Sequence, residues 1–207
     1  MTDAIAALAD WRLRVAELYL APPIEGVEGW EEFRRRRDAL FREHPQAPLT
    51  EGQRAEFESL PYFPYRADGV VRCRLEPPAG EPLLEVDTGG EDGVISYRRA
   101  GRFDTPYGDL TLFWVEGYGG GLFLPFRDAT AGDDTYGGGR YLTDTVKGTF
   151  GRGLALAPDG GEAVLDFNYA YNPSCAYNSR WACPLAPPEN RLAEPVAAGE
   201  RAFPNPV

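Results

Sequence analysis

The 207-residue sequence has little positive charge and only one lysine, Lys147. Its 21 lysines and arginines are outnumbered by 32 aspartates and glutamates, which gives a formal net charge of -11 and a pI near 4.6. Nucleic acids and anionic membranes bind basic faces, so this balance opposes both as partners. We expect a solvated acidic surface, a composition that fits a GC-rich genome and a halophilic source.

Histidine and cysteine are also scarce. The only histidine is His44, and the only cysteines are Cys73, Cys175 and Cys183. A zinc site needs about four ligands, which this set cannot easily supply, and no Ser-His-Asp set is readable. We therefore predict no metal site, and the sequence assigns no cofactor and no oligomeric state. A nucleophilic Cys175 would need a base, and His44 lies far away in the sequence.

Long apolar runs are absent. No stretch of about 18 apolar residues occurs, so no membrane span is expected. The N-terminus, MTDAIAALADWRLR, carries an early acid and no basic region before an apolar segment. We expect no signal peptide, a cytoplasmic location and one domain over residues 1–207.

Helical patterns are confined to residues 1–66. Apolar residues such as Leu8 and Trp11 recur at helical spacing and predict a helix over residues 4–20, with Asp3 as its N-cap. A second helix is predicted over residues 30–43, with the four arginines of residues 34–37 in solvent.

A third, short helix is predicted over residues 51–59, because Thr50 and Gln53 have the spacing of a capping box. His44 begins the turn HPQAP and is interpreted as a residue that caps the end of the second helix.

From Val70 the pattern changes to short runs with a period of two, separated by Gly, Asp and Pro. Residues 67–207 thus form a β-rich core that ends in an irregular proline-rich loop. The sequence predicts an α+β fold, with N-terminal helices packed on a mostly antiparallel β-barrel or strongly bent sheet of seven to nine strands. The predicted strands cover residues 70–76, 82–88, 94–99, 110–116, 121–126, 140–142, 154–157 and 164–169.

Charged residues lie near the ends of several of these strands. Arg127 and Asp128 follow one apolar run, Arg140 opens another after three glycines, and Asp166 and Asn168 alternate on the polar face of the last strand. Strand ends of an antiparallel meander can meet on one rim. We therefore expect Arg127, Asp128, Arg140 and Asp166 to converge.

Two functions fit such a rim. In the first, the barrel binds a small anionic ligand, and the protein is an enzyme if Asp128 or Asp166 acts as a catalytic acid or base. The ligand would be held by the arginine forks and by neighbouring polar side chains: Arg127, Tyr136, Arg140, Tyr141 and Asn168. In the second, the barrel is filled, and the same residues form a non-catalytic polar network in a structural or protein-interaction domain.

The last predicted strand should end at Asn172-Pro173, because proline removes a ladder donor. The loop after it must fold back on itself, so we expect Cys175 and Cys183 to lie close enough to interact. They could form a disulfide, half of a metal site or a pair of thiols, and a reducing cytosol favours thiols.

The segments FRDATAGDDTYGGGRYL, DFNYAYNPSCAYN and CPLAPPENRL, with the closing AGER, resemble a bacterial and archaeal family designated domain of unknown function 1684. The resemblance runs from the helix of Trp30 to Arg201. This family has no assigned activity, so the resemblance implies no role for any residue.

Overall fold

The computed structural model describes residues 2–20, 26–87 and 93–207 of the chain. Three helices come first: Thr2–Leu20 (α1), Val27–Glu43 (α2) and Glu51–Ala55 (α3). The segment of residues 21–23 that should stop α1 lies outside the described residues. The same is true of Thr88, the last residue of the second predicted strand.

The buried face of α2 consists of Trp30, Phe33, Arg37 and Phe41, which are spaced by three or four residues as one helix face requires. The helix ends where His44 adopts an extended backbone, as a residue before proline does. His44 is thus the C-cap residue, as predicted. The prediction that residues 34–37 are all solvated is wrong for Arg37, which is 4% exposed.

The capping box of α3 is confirmed, because Thr50 and Gln53 exchange side-chain and main-chain hydrogen bonds. The helix is shorter than predicted and ends at Ala55. Phe57 and Leu60 then turn inward and pack in one cluster with Phe41.

Eight strands follow in the described residues, at or near each predicted position. They are Val70–Cys73 (β1), Leu83–Asp87 (β2), Val94–Thr105 (β3), Gly108–Val115 (β4), Gly121–Phe126 (β5), Arg140–Asp144 (β6), Leu154–Leu156 (β7) and Ala163–Asp166 (β8).

The strands form two antiparallel sheets, of order β1-β8-β7 and β2-β3-β4-β5-β6. The predicted α+β class with antiparallel pairing is confirmed. A closed barrel is not found within residues 26–87 and 93–207. The ladder is interrupted between β6 and β7, where the chain turns through Thr145–Lys147. β1 is linked to the larger sheet through the isolated bridge of Glu76 and Arg102.

The larger sheet has buried residues on both faces. One face shares a core with the smaller sheet, which contributes Val71, Leu154 and Leu165. The other face packs against α1 and α2 through an aromatic cluster that includes Tyr19 and Phe33. The two N-terminal helices therefore pack on one face of the five-stranded sheet.

The last strand ends earlier than predicted, at Asp166 instead of Asn172. The Asp166 carboxylate accepts a hydrogen bond from the amide of Asn168 and caps a 3-10 turn over Phe167–Tyr169. Asp166 and Asn168 consequently do not alternate along one strand face. The chain returns to the larger sheet when Tyr171 pairs with Tyr141.

Candidate functional site

A cavity of about 50 Å³ lies where α1 and α2 meet the segment after the 3-10 turn of Phe167–Tyr169. Its wall includes Trp11, Tyr19, Arg37, Lys147, Tyr171 and Asn172. Four distant parts of the chain thus contribute: both long helices, the turn after β6 and the start of the proline-rich loop.

The aromatic wall is held by edge-to-face contacts. Tyr19 lies in the last turn of α1, with its ring centroid 5.2 Å from that of Phe33 and 5.5 Å from that of Tyr171. The hydroxyl of Tyr171 shares a 2.7 Å hydrogen bond with the hydroxyl of Thr149. Such contacts fix the positions of the rings.

Two buried polar atoms on this wall have no hydrogen-bond partner among the described residues: the hydroxyl of Tyr19 and Oδ1 of Asn172. Both residues are 2% exposed. The amide nitrogen of the Asn172 side chain donates to the carbonyl of Arg201 at 2.8 Å, which orients the side chain. Buried polar atoms are nearly always paired, and these two are exceptions on the wall of one cavity.

The two cations of the cavity wall differ in their pairing. Arg37 lies 2.6 Å from Glu200 in an almost fully buried ion pair, so its charge is compensated. Lys147 donates a 2.9 Å hydrogen bond to the hydroxyl of Ser174 and forms no ion pair within the described residues. Lys147 lowers the pKa of the buried Asp144 carboxyl, although burial is the larger effect and raises that pKa. Lys147 is therefore the group at the cavity that can bind an anion.

Tyr136 and Tyr141 both contact the proline-rich loop that contains Cys175 and Cys183. The Tyr136 hydroxyl donates to Cys175 Sγ at 3.5 Å, and the Tyr141 hydroxyl donates to the carbonyl of Pro184. Cys175 and Cys183 are both free thiols and partly buried, and their interaction stays a prediction.

Arg140 and Asp128 form a second, separate contact. Their ion pair is 3.0 Å long, and Arg140 is 0% exposed. The Arg140 guanidinium also donates to the carbonyls of Val196, Ala198 and Glu200. Asp128 accepts hydrogen bonds from the hydroxyl of Thr130 and the amide of Val196. The pair ties the segment after residue 195 to the ends of β5 and β6.

Asp166 and Asn168 lie in a third place, beside the loop that precedes β1. The Asn168 side chain exchanges two hydrogen bonds with the backbone of Arg66, at 2.9 and 2.8 Å, and donates a third to Asp166. Burial raises the pKa of Asp166 to about 6. Within the described residues, no hydrogen bond or ion pair joins Asp166 to Arg140 or Asp128.

The residues selected from sequence therefore lie in three places: the Arg140–Asp128 pair, the proline-rich loop beside Tyr136 and Tyr141, and the turn of Asp166 and Asn168. Arg127 precedes Asp128 in the chain and so lies beside the first of these. The backbone of Arg127 pairs with Asn190 and Leu192. Sequence reasoning missed the cavity residues Tyr19, Lys147 and Asn172. Arg37 did carry a signal, because it has helical spacing with Phe33 and Phe41.

Two features are absent from the described part of the chain, a metal-binding group and a membrane-spanning helix. No group of three or more His, Cys, Asp or Glu residues there could hold a metal ion. Among the described helices, none is both long and apolar enough to cross a membrane.

These features define an α+β protein in which two helices close a polar cavity over an antiparallel sheet. The family model described as "Protein of unknown function (DUF1684)" matches residues 55–201, and the chain belongs to this family. The chain is also similar to an uncharacterised protein of Haloarcula marismortui, solved by solution NMR. The two are 34% identical, the match covers 84% of this chain and 95% of that one, and the TM-score is 0.54. No curated protein matches the chain.

Proposed function

We propose that this protein binds a small anionic metabolite in the cavity between α1, α2 and the segment that begins at Tyr171. The observation that carries the proposal is the pair of orphaned polar atoms, on Tyr19 and Asn172, in a cavity whose wall also includes Lys147, which forms no ion pair within the described residues. Leaving a buried polar atom unpaired costs about 1–3 kcal/mol, and a bound polar ligand would remove this cost.

The polar groups of the cavity wall and the cavity volume define the class of ligand that fits. The Lys147 ammonium suits a carboxylate or another compact anionic group, while Oδ1 of Asn172 requires a hydrogen-bond donor. The Tyr19 hydroxyl can donate or accept. A volume of about 50 Å³ holds about three to five waters, at about 10–15 Å³ for each, or a ligand of a few heavy atoms. A small hydroxy- or amino-carboxylate meets all four conditions.

This proposal assigns binding to the cavity and a structural role to the Arg140–Asp128 pair. The guanidinium of Arg140 is engaged with Asp128 and three main-chain carbonyls, which supports a polar lock on the C-terminal segment. Asp128 and Asp166 do not line the cavity, so the proposed function is ligand binding without a catalytic carboxylate.

Calorimetric titration with a panel of small carboxylates tests the proposal. We expect a compact hydroxy- or amino-carboxylate to bind, and Lys147→Gln to weaken its binding by about tenfold or more, because a charge-assisted contact contributes about 1.5–3 kcal/mol. The matched control is Arg12→Gln, which removes an exposed cation of α1 and should leave the Kd unchanged. If the panel gives no binding heat, or if both variants weaken binding equally, the cavity is not the site.

A further inference from the structure

Ser174 and Lys147 meet on the wall of the cavity, and the ligand-binding function uses only the lysine. Lys147 ends the 3-10 turn of Thr145–Lys147, and Ser174 begins the 3-10 turn of Ser174–Ala176. The Nζ atom of Lys147 donates a 2.9 Å hydrogen bond to Oγ of Ser174. Both residues are half-buried and both line the cavity, so a small molecule that enters the cavity reaches the serine hydroxyl.

This contact has the geometry of a nucleophile with its base. A serine hydroxyl is a weak nucleophile until a base within about 2.6–3.2 Å takes its proton. The 2.9 Å separation of Nζ and Oγ falls inside that range, and Lys147 forms no ion pair within the described residues. Serine–lysine pairs are among the sets that carry out acyl transfer in hydrolases of unrelated folds.

Acyl transfer also needs a hydrogen-bond donor for the negative oxygen of its tetrahedral intermediate. The hydroxyl of Tyr19 is buried, has no hydrogen-bond partner among the described residues and belongs to the wall of the same cavity. The amide nitrogen of the Asn172 side chain, in contrast, already donates to the carbonyl of Arg201. Tyr19 therefore offers this wall a donor that is available to such an oxygen.

We propose that Ser174 and Lys147 are the nucleophile and the general base of a hydrolase that cleaves esters or amides of small carboxylic acids. The proposal rests on the proposed function, because it uses the same cavity and makes the bound carboxylate the product of the reaction. The hydroxyl of Tyr19 donates to the oxyanion. The cavity volume of about 50 Å³ limits the acyl group to a few heavy atoms.

The acylation step balances at named atoms. Oγ of Ser174 attacks the carbonyl carbon of the substrate, and its proton passes to the uncharged amine of Lys147. The bond from the acyl carbon to the alcohol oxygen or amine nitrogen then breaks, and the leaving group takes the proton from the Lys147 ammonium. This step yields a free alcohol or amine and an ester of Ser174.

Water completes the reaction. A water molecule attacks the acyl carbon while Lys147 takes one of its protons, and Oγ of Ser174 leaves and recovers that proton. The carboxylic acid gives its own proton to Lys147. An ammonium and a carboxylate then face each other in the cavity, which is the complex that the ligand-binding function describes. The net reaction consumes one water, and no atom is oxidised or reduced.

Methanesulfonyl fluoride tests the nucleophile without a variant. Its sulfur reacts with an activated serine oxygen, fluoride leaves, and the stable sulfonyl ester is located by peptide mass spectrometry. Ser179, an exposed serine of the same loop, is the internal control. General-base catalysis contributes about 100- to 10,000-fold, so we expect Ser174 to be labelled at least about 100 times faster than Ser179. Labelling should also abolish the hydrolysis of 4-nitrophenyl acetate.

Substitutions separate the base from the nucleophile. Lys147→Arg keeps a cation at the cavity, but arginine cannot take the proton of a serine, so the labelling rate of Ser174 should fall by about 100-fold or more. A lysine that only positioned the loop would not have this effect. Ser174→Ala should lose the hydrolysis of 4-nitrophenyl acetate, whereas Ser179→Ala should retain it.

The proposal is overturned if Ser174 of the wild-type protein is labelled no faster than Ser179, if the sulfonyl group is found on Lys147 instead, or if Lys147→Arg is labelled on Ser174 at the wild-type rate. The wild-type experiment decides even if a substitution impairs folding. Binding of a small carboxylate without labelling of Ser174 contradicts only the hydrolase. Labelling of Ser174 without binding of a carboxylate contradicts only the anion site.

Discussion

Arg37 and Glu200 lie 163 positions apart in the sequence and form an ion pair 2.6 Å long that is almost fully buried. Arg37 also donates to the hydroxyls of Tyr62 and Tyr177, and Glu200 accepts from Tyr177 and from the amide of Asn172. One network thus joins α2, the segment before β1, the proline-rich loop and the C-terminal segment. It stands directly behind the cavity, because Arg37, Asn172 and Tyr177 also form part of the cavity wall.

Breaking this pair should destabilise the protein strongly. Glu200→Gln leaves the Arg37 guanidinium buried without its counter-ion, so we expect the free energy of unfolding to fall by about 3–5 kcal/mol. The measurement is urea denaturation. Adding Arg37→Met to Glu200→Gln should cost less than the sum of the two single changes, because the partners share one interaction. The exposed pair of Arg35 and Glu32 is the control, and Arg35→Gln should change stability by about 0.5 kcal/mol or less. Additive losses would contradict a coupled network.

Breaking the Arg140–Asp128 contact should also destabilise the protein strongly. Arg140→Ala leaves Asp128 buried without its charged partner and leaves three carbonyls without this donor. The free energy of unfolding should therefore fall by about 3 kcal/mol or more. Arg201→Ala removes an exposed pair with Asp134 and should cost about 1 kcal/mol or less. If Arg140→Ala were nearly neutral in denaturation but abolished ligand binding, the rim that the sequence suggests would be the ligand site instead.

Tyr19→Phe should stabilise the unliganded protein. The change removes only the orphaned hydroxyl and keeps the ring contacts with Phe33 and Tyr171, so we expect a gain of about 1 kcal/mol. Tyr177→Phe is the matched control and should lose stability, because its hydroxyl donates to Glu200. Thermal unfolding of both variants, without ligand, measures the difference. A loss of stability in Tyr19→Phe would mean that the hydroxyl already has a partner, such as a bound water.

Asp166 makes stability depend on pH in a defined direction. Its folded-state pKa of about 6 lies above the unfolded value of about 3.9, so the folded protein binds more protons between these pH values. The contribution of Asp166 to stability therefore decreases as the pH rises from about 4 to about 6, and it is constant above that range. Asp166→Asn removes this titration and keeps an oxygen that can accept from the Asn168 amide.

The stability difference between Asp166→Asn and the wild-type protein should thus be near zero at pH 4. It should reach a gain of about 1–2 kcal/mol above pH 6. Urea denaturation of both proteins in the same buffers isolates Asp166 from the other carboxyls. A difference that does not change with pH would contradict a raised pKa at this position.

Much of the fold could be predicted from sequence, because local pattern decides it. The run Gly121–Phe126 becomes a strand with the bounds that the pattern indicates, and the Thr50–Gln53 spacing produces its capping box. The contact of Arg140 with Asp128 was also within reach, since both residues flank the paired strands β5 and β6. The arrangement in two sheets could not be predicted, because it depends on the chain leaving the hydrogen-bonded ladder of the larger sheet after β6.

The candidate site lay beyond sequence reasoning for a related reason. Tyr19, Lys147 and Asn172 come from three distant segments, and tertiary packing alone brings them to one cavity. Nothing in the local pattern of Lys147 distinguishes it from a surface lysine. Arg37 could have been recognised, because it continues the spacing of Trp30 and Phe33 along the buried face of α2. A charged residue on an apolar helix face indicates a buried partner.

The most direct test of the ligand-binding account uses the fact that Lys147 is the only lysine. Protein labelled with 13C-lysine has a single Hε–Cε correlation in its NMR spectrum, and this signal reports on the ammonium at the cavity. We predict that a compact hydroxy- or amino-carboxylate shifts the signal with saturation, that its neutral amide does not, and that Tyr19→Phe weakens the response. If no small carboxylate shifts the signal with saturation, or if carboxylate and amide act equally, an anion site at Lys147 is contradicted.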